Sequence, residues 1–383
     1  MIIFGYRSAP PLIFKKLNTR AAIVLLLILS FSCKNNVDST KTISINNFLD
    51  SVLLSKIVDT AFFLQLDSKD GRLASITNVY FSDSSIIVCD KKQKQVIIYK
   101  KNGEFYSKIY SIGKGPEEYA TISDTYFNTQ EGKFYIYDEV LEKMLAYNKW
   151  GIFTNEIDFH FYIGDFITTE EGFLCYNETT VNTIKDKLIF PGLLLIDHNG
   201  DLVQQVTVDN KGDRKLITLD NYFHLIKDTT FLTQWGTDTV YTIQNLKKIP
   251  CFVLKFPGHN LSEEYRNLPL NSRRMQEVVS SGMVYSKEPF IISSDFMFIR
   301  FYINQKPYYL FYWRSSGKYL VTQKIINDIE LIPDKFNFIT KKGEFLVGTS
   351  WSVKDIRGSS LTNNQYDYPK NPYILFLKLS DEI

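Results

Sequence analysis

Ser85-Ile86-Ile87-Val88-Cys89-Asp90, Gln95-Val96-Ile97-Ile98-Tyr99, Asn102-Gly103 and Glu104-Phe105-Tyr106-Ser107-Lys108-Ile109-Tyr110 together spell one structural unit. The first two runs are short and apolar, and the first ends in a turn former, as a buried strand does. Asn102-Gly103 supplies a hairpin turn that tolerates positive φ, and the last run alternates polar with apolar like a half-exposed strand. Gly113-Lys114-Gly115-Pro116-Glu117-Glu118-Tyr119 then ends the pattern, because two glycines and a proline cannot propagate a strand.

The unit recurs. Phe134 to Asp138, Lys143 to Tyr147 and Trp150 to Phe153 repeat strand, strand, turn and strand; Asp90 and Asp138 are 48 residues apart, as are Gly103 and Gly151. A third copy runs from Phe173 through Leu193 to Asp197 and reaches its own turn at Asn199-Gly200. Repeats of this length built from four short strands are the signature of propeller blades. A fourth unit spans Tyr222 to Phe256 and a fifth Phe290 to Ile325, while the sixth, from Phe336 to Leu377, stops one strand short. An unpartnered strand at Phe62 to Leu66 fills that place and removes two free sheet edges.

Between Asn260 and Lys287 the strand pattern lapses. Asn271 as N-cap, Met275, Val278 and Val279 at helical spacing and Gly282 beyond the last turn predict a short amphipathic helix. Residues 57–383, less an insertion of about 30, leave about 50 per blade for six blades and about 42 for seven, and six fits the observed period. The expected fold is therefore all-β, a six-bladed propeller of four-stranded antiparallel blades. A long surface loop is expected over 351–370.

Residues 1–33 read as a leader. Arg7, Lys15, Lys16 and Arg20 precede the apolar run Ala21 to Phe31, which is too short to cross a bilayer of ~30 Å as a helix. Ser30-Phe31-Ser32-Cys33 resembles a lipobox and makes Cys33 the expected lipidation site. Residues 34–56 read as a polar tether and 57–383 as the propeller. Without the leader, 40 basic residues face 42 acidic ones, so no electrostatic footprint for nucleic acid remains. Cys89, Cys175 and Cys251 lie in strand runs of different repeats, as small hydrophobes do.

Asp90, the Tyr99-Lys100-Lys101-Asn102-Gly103 turn, the Gly113 to Tyr119 loop and Val253 to Gly258 followed by Leu261-Ser262-Glu263-Glu264 resemble the six-bladed β-propeller lipoproteins of Gram-negative gut bacteria, and more distantly NHL-like and TolB-like propellers. That resemblance covers nearly the whole mature chain. It implies a cell-envelope location on an outer-membrane lipid anchor, periplasmic or surface-exposed, and carries no activity over.

Inner strands of a propeller face its channel, and comparable inner-strand positions hold Asn78, Asp124, Asp165, His224, Asp295 and Asn337. Such a ring suits calcium or a hydrogen-bonded sugar, and equally a water-lined channel. Lys114, Glu117, Glu118 and Tyr119 of the crossover loop are a second candidate site, unless they only fix the crossover. No Gly-x-Ser-x-Gly or His-Glu-x-x-His occurs, and His160, His198, His224 and His259 are scattered. Trp150, Trp235, Trp313 and Trp351 offer stacking surfaces or serve as core. The expected function is a monomeric binding or interaction module for a glycan, peptide or protein of the envelope, with no catalytic residue. The alternative is a metal-dependent hydrolase or lyase working in the channel.

Overall fold

The computed structural model describes residues 40–184, 186–209, 221–267, 272–330, 332–333, 335–351 and 372–381. The leader with Cys33, the cap Asn271 and nearly all of the loop expected over 351–370 lie outside them.

Three strands precede the first complete blade: β1 (Lys41–Ser44), β2 (Leu49–Leu53) and β3 (Val58–Gln65). The first blade is β4 (Asn78–Phe81), β5 (Ser85–Asp90), β6 (Gln95–Lys100) and β7 (Phe105–Ile109). The second is β8 (Asp124–Asn128), β9 (Lys133–Asp138), β10 (Lys143–Asn148) and β11 (Phe153–Asp158). In the third, β12 (Asp165–Thr169) and β13 (Gly172–Asn177) are followed by a side hairpin, β14 (Asn182–Ile184) and β15 (Lys187–Ile189), before β16 (Gly192–Ile196) and β17 (Leu202–Gln205) complete the sheet. The fourth is β18 (Phe223–Ile226), β19 (Thr229–Leu232), β20 (Thr239–Gln244) and β21 (Lys247–Lys255). After α1 (Glu263–Asn267) and α2 (Ser272–Ser280) come the fifth, β22 (Phe290–Ile292), β23 (Phe296–Ile303), β24 (Lys306–Trp313) and β25 (Tyr319–Ile326), and the sixth, β26 (Asn337–Lys342), β27 (Phe345–Ser350) and β28 (Tyr373–Leu379).

The sixth sheet has the order β26-β27-β28-β3, with Phe62 opposite Phe376 and Phe63 opposite Leu375. Inner strands β26 and β4 are neighbours, so the ring is closed and has six blades. The expected helix is α2, whose Met275, Val278 and Val279 pack on the third and fourth blades.

The polar tether expected over 34–56 needs correction. β1 lies parallel to β21, and β2 lies parallel to β25, so residues 41–53 extend the fourth and fifth sheets to five strands. Only isolated apolar residues such as Ile43 and Ile45 are buried there, too few for a strand pattern to register in sequence.

The interior is divided into six apolar layers, one between each pair of adjacent blades. Along β5, Ile86 and Val88 join Val347, Ile374 and Phe376 of the sixth blade, whereas Ile87 and Cys89 join Phe134, Ile136 and Leu145 of the second. Burial on both faces explains why these strands are continuously apolar. Buried Asp90 and Asp138 end equivalent strands and accept backbone N–H groups from the crossover before their own blade, Ala74 to Asp90 and Ala120 to Asp138, both at 2.6 Å. Gly103 has φ +83°, and a Cβ there would stand 2.2 Å from the carbonyl oxygen of Gln65 in β3, so the hairpin turn of the first blade is pressed against the closing strand.

Candidate functional site: the central channel

The inner strands enclose a cavity of about 1210 Å3. Its wall sets amides and hydroxyls such as Asn78, Asn128 and Thr168 beside the rings of Tyr126 and Tyr302. Asn78 donates to Tyr80 Oη at 3.1 Å and to Asn221 Oδ1 at 3.4 Å, linking the first blade to the residue that precedes the fourth.

Asp124 and Asp165 open the inner strands of the second and third blades, and the structure brings them together. Asp165 lines the channel, and its Oδ2 accepts the backbone N–H groups of Tyr222 (2.6 Å) and Phe223 (2.8 Å) while Oδ1 accepts that of Phe166 (2.7 Å). This carboxylate therefore ties the third blade to the fourth. Asp124 is buried, its Oδ2 receives no donor, and the Asp165 charge acts on its carboxyl. Lys91 Nζ lies 3.9 Å from Asp124 Oδ1 and donates instead to the Ser123 carbonyl at 2.7 Å. Burial first, and then the Asp165 charge, push the Asp124 carboxyl well above the usual range. Burial likewise lifts Asp165 to about 6, against backbone donors that favour its ionised form. Both shifts run the same way and favour protonation within the pair, and the Asp165 charge adds to burial at Asp124.

The other expected channel residues fare differently. His224 lines the cavity with its Nε2 3.1 Å from Thr233 Oγ1 and its ring against Phe290, and burial lowers its pKa to about 3, so the imidazole is neutral. Asn337 lines the wall and is exposed. Asp295 is a correction: it sits exposed in the turn between β22 and β23, outside the channel lining. The Ser293 hydroxyl accepts the N–H groups of Asp295 (3.1 Å) and Phe296 (3.0 Å), turning the chain after Ile292. Sequence reasoning missed Lys341, which lines the channel and donates to the Leu225 carbonyl at 2.8 Å. A bulge between Phe338 and Thr340 interrupts the alternation that would have shown which way Lys341 turns.

The crossover loop serves the fold. Tyr119 is fully buried between the first and second blades, its hydroxyl on the carbonyls of Lys94 (2.8 Å) and Ile109 (3.3 Å). Glu118 turns back to accept the Gly115 N–H at 2.8 Å, and Glu117 donates its backbone N–H to Glu156 at 2.9 Å. The side chains of Lys114 and Glu117 are exposed, and no residue of this loop lines the channel. Trp235 and Trp313 are buried, Trp150 lies on Tyr106, and the half-exposed Trp351 lines the channel. Cys89 and Cys175 are buried, and Cys251 is partly exposed. Among the described residues no three of His, Cys, Asp and Glu gather closely enough to hold a metal. The calcium expectation therefore has at most the Asp124 and Asp165 pair behind it.

A family profile described as a domain of unknown function, DUF4934, matches residues 40–382. None of the curated proteins matches the sequence. A solved structure from Bacteroides fragilis, of a protein designated as exported, superposes with a TM-score of 0.72 at 16% identity over 89% of this chain and 100% of that one. A DUF4221 family member from Bacteroides vulgatus gives 0.48 at 9% identity, covering 84% and 97%. Virginiamycin B lyase from Staphylococcus aureus gives 0.39 at 10%, covering 84% and 99%. The first likeness shows the fold, as expected from the repeats, and the other two are too low to carry an argument.

The raised carboxyl pair has a testable sign. Both folded-state pKa values lie above the unfolded ones, so the pair stabilises the fold at low pH, and that contribution is lost as pH rises through about 6 and beyond. Asp124→Asn keeps the side chain's shape and removes one titration. In denaturant unfolding, its stability relative to wild type is expected to rise by about 1 kcal/mol or more between about pH 4 and about pH 8. Parallel pH profiles for the two proteins contradict the raised pKa of Asp124.

Proposed function

The chain belongs to the DUF4934 family, and from that premise we propose that it is an exported binding module whose ligand, a glycan chain, enters the central channel. The observation that carries this reading is the wall itself: a cavity of about 1210 Å3 faced with amides, hydroxyls and tyrosine rings, which is what a hydroxyl-rich ligand needs for hydrogen bonds and stacking. Export is supported by the leader-like residues 1–33 and by the designation of the Bacteroides fragilis protein. No helix of the described residues is long and apolar enough to cross a membrane. Attachment to the envelope through lipidated Cys33 completes the reading, and intact-mass analysis of the mature chain checks it: a diacylglyceryl mass lost in Cys33→Ala supports the anchor, and an unmodified mature N-terminus refutes it.

Thr340 lines the channel at partial exposure, and Thr340→Trp fills space there without touching the apolar layers. On glycan and peptide arrays the wild type is expected to retain a set of glycans that Thr340→Trp loses while keeping its melting temperature. Glycans held equally by both proteins, or retention of peptides alone, overturn the channel reading.

A further inference from the structure

We infer that the channel is selective for carboxylate-bearing saccharides and that Lys341 is the residue that binds the carboxylate. This rests on the proposal that the channel takes a glycan and narrows its class.

The geometry begins with an irregularity of the ring. The inner strand of the fifth blade, β22, has 3 residues, whereas β26 of the sixth has 6. Past the end of β22, Lys341 extends from the sixth blade to the fourth and donates to the Leu225 carbonyl at 2.8 Å. That carbonyl satisfies one of three ammonium donors, and no carboxylate of the described residues comes within ion-pair distance of the group. The charges around it do not neutralise it. Arg314 pushes its pKa down after burial does, Asp295 opposes them weakly, and the balance is about 8. His224 is neutral; Lys227, Arg300 and Lys342 add positive charge to the channel lining and Glu131, Asp165, Glu170, Asp228 and Glu288 add negative charge, and none of these carboxylates forms an ion pair with Lys341. Arg314 is itself occupied by the Ser293 carbonyl and the rings of Phe231 and Phe252, and Lys342 lies over Phe81 and Phe376. Lys341 is thus a half-desolvated cation facing a cavity with hydrogen-bonding capacity left over. A partly buried ammonium without a counter-ion is held at a cost in solvation, which an anionic oxygen entering the channel offsets. A saccharide ring beside it meets the hydroxyl and amide wall, whereas a small inorganic anion meets only Lys341.

The test uses the mature chain with trigalacturonate and, as the neutral counterpart, maltotriose, followed by calorimetry, in wild type, Lys341→Met and Lys341→Arg. Trigalacturonate is expected to bind the wild type at least about tenfold more tightly than maltotriose; Lys341→Met removes that difference and Lys341→Arg keeps most of it. Equal binding of both sugars by the wild type, or unchanged trigalacturonate binding by a folded Lys341→Met, overturns the assignment to Lys341 and leaves the channel reading standing. Sulfate competing as well as trigalacturonate reduces the site to a simple anion site and overturns the saccharide class. The channel reading itself falls separately, if Thr340→Trp binds every retained glycan as the wild type does.

Discussion

Each blade of this protein has two apolar faces, and each face is buried only against another blade. Ring closure is therefore the constraint on which the rest depends. Five of the six apolar layers join blades that follow one another in sequence; the sixth, where Val79, Ile86 and Val88 meet Val347, Ile374 and Phe376, joins the two ends of the chain. Burying one such side chain contributes about 1.5–3 kcal/mol. An open ring forfeits several of these at once. The pairing of β3 with β28 secures that last layer, with seven residue pairs from Tyr373↔Gln65 to Leu379↔Val58.

The channel follows from the same closure. Its walls are inner strands held by the layers behind them, and hydrogen bonds such as Asn78 to Asn221 and Asn128 to Thr168 tie its polar groups across blades. Asp165 shows how far this goes, because a buried carboxylate joins the third blade to the fourth through the backbone of Tyr222 and Phe223 and helps to raise the pKa of Asp124. On the opposite side the short β22 lets Lys341 span two blades. The site is thus made where the repeat is least regular.

That distinction governs what the sequence made legible. Blade number, period, turn glycines and the closing strand were readable because two-sided burial writes continuous apolar runs, and positive φ at Gly103, Gly151 and Gly200 fixes where the turns fall. The strands β1 and β2 were not, since edge strands that bury at most one residue leave no pattern. Asn78, Asp165, His224 and Asn337 line the channel because inner strands repeat in register, whereas Asp124, expected there too, is buried outside its lining. Asp295 failed because a serine hydroxyl ended its strand early, and Lys341 was hidden by a bulge; both are hydrogen-bonding details that periodicity does not encode. The Gly113 to Tyr119 motif was conspicuous for a structural reason, a tight crossover sealed by a buried tyrosine.

Native-state hydrogen exchange of the mature chain tests closure most directly. The amides of β3 that pair with β28 are expected to exchange in the same slow class as the β27 and β28 ladder, since the sixth sheet and the last apolar layer open together. Rapid exchange in β3 while β27 and β28 stay protected would contradict the account, because the ring would then hold its shape without the strand that is said to close it.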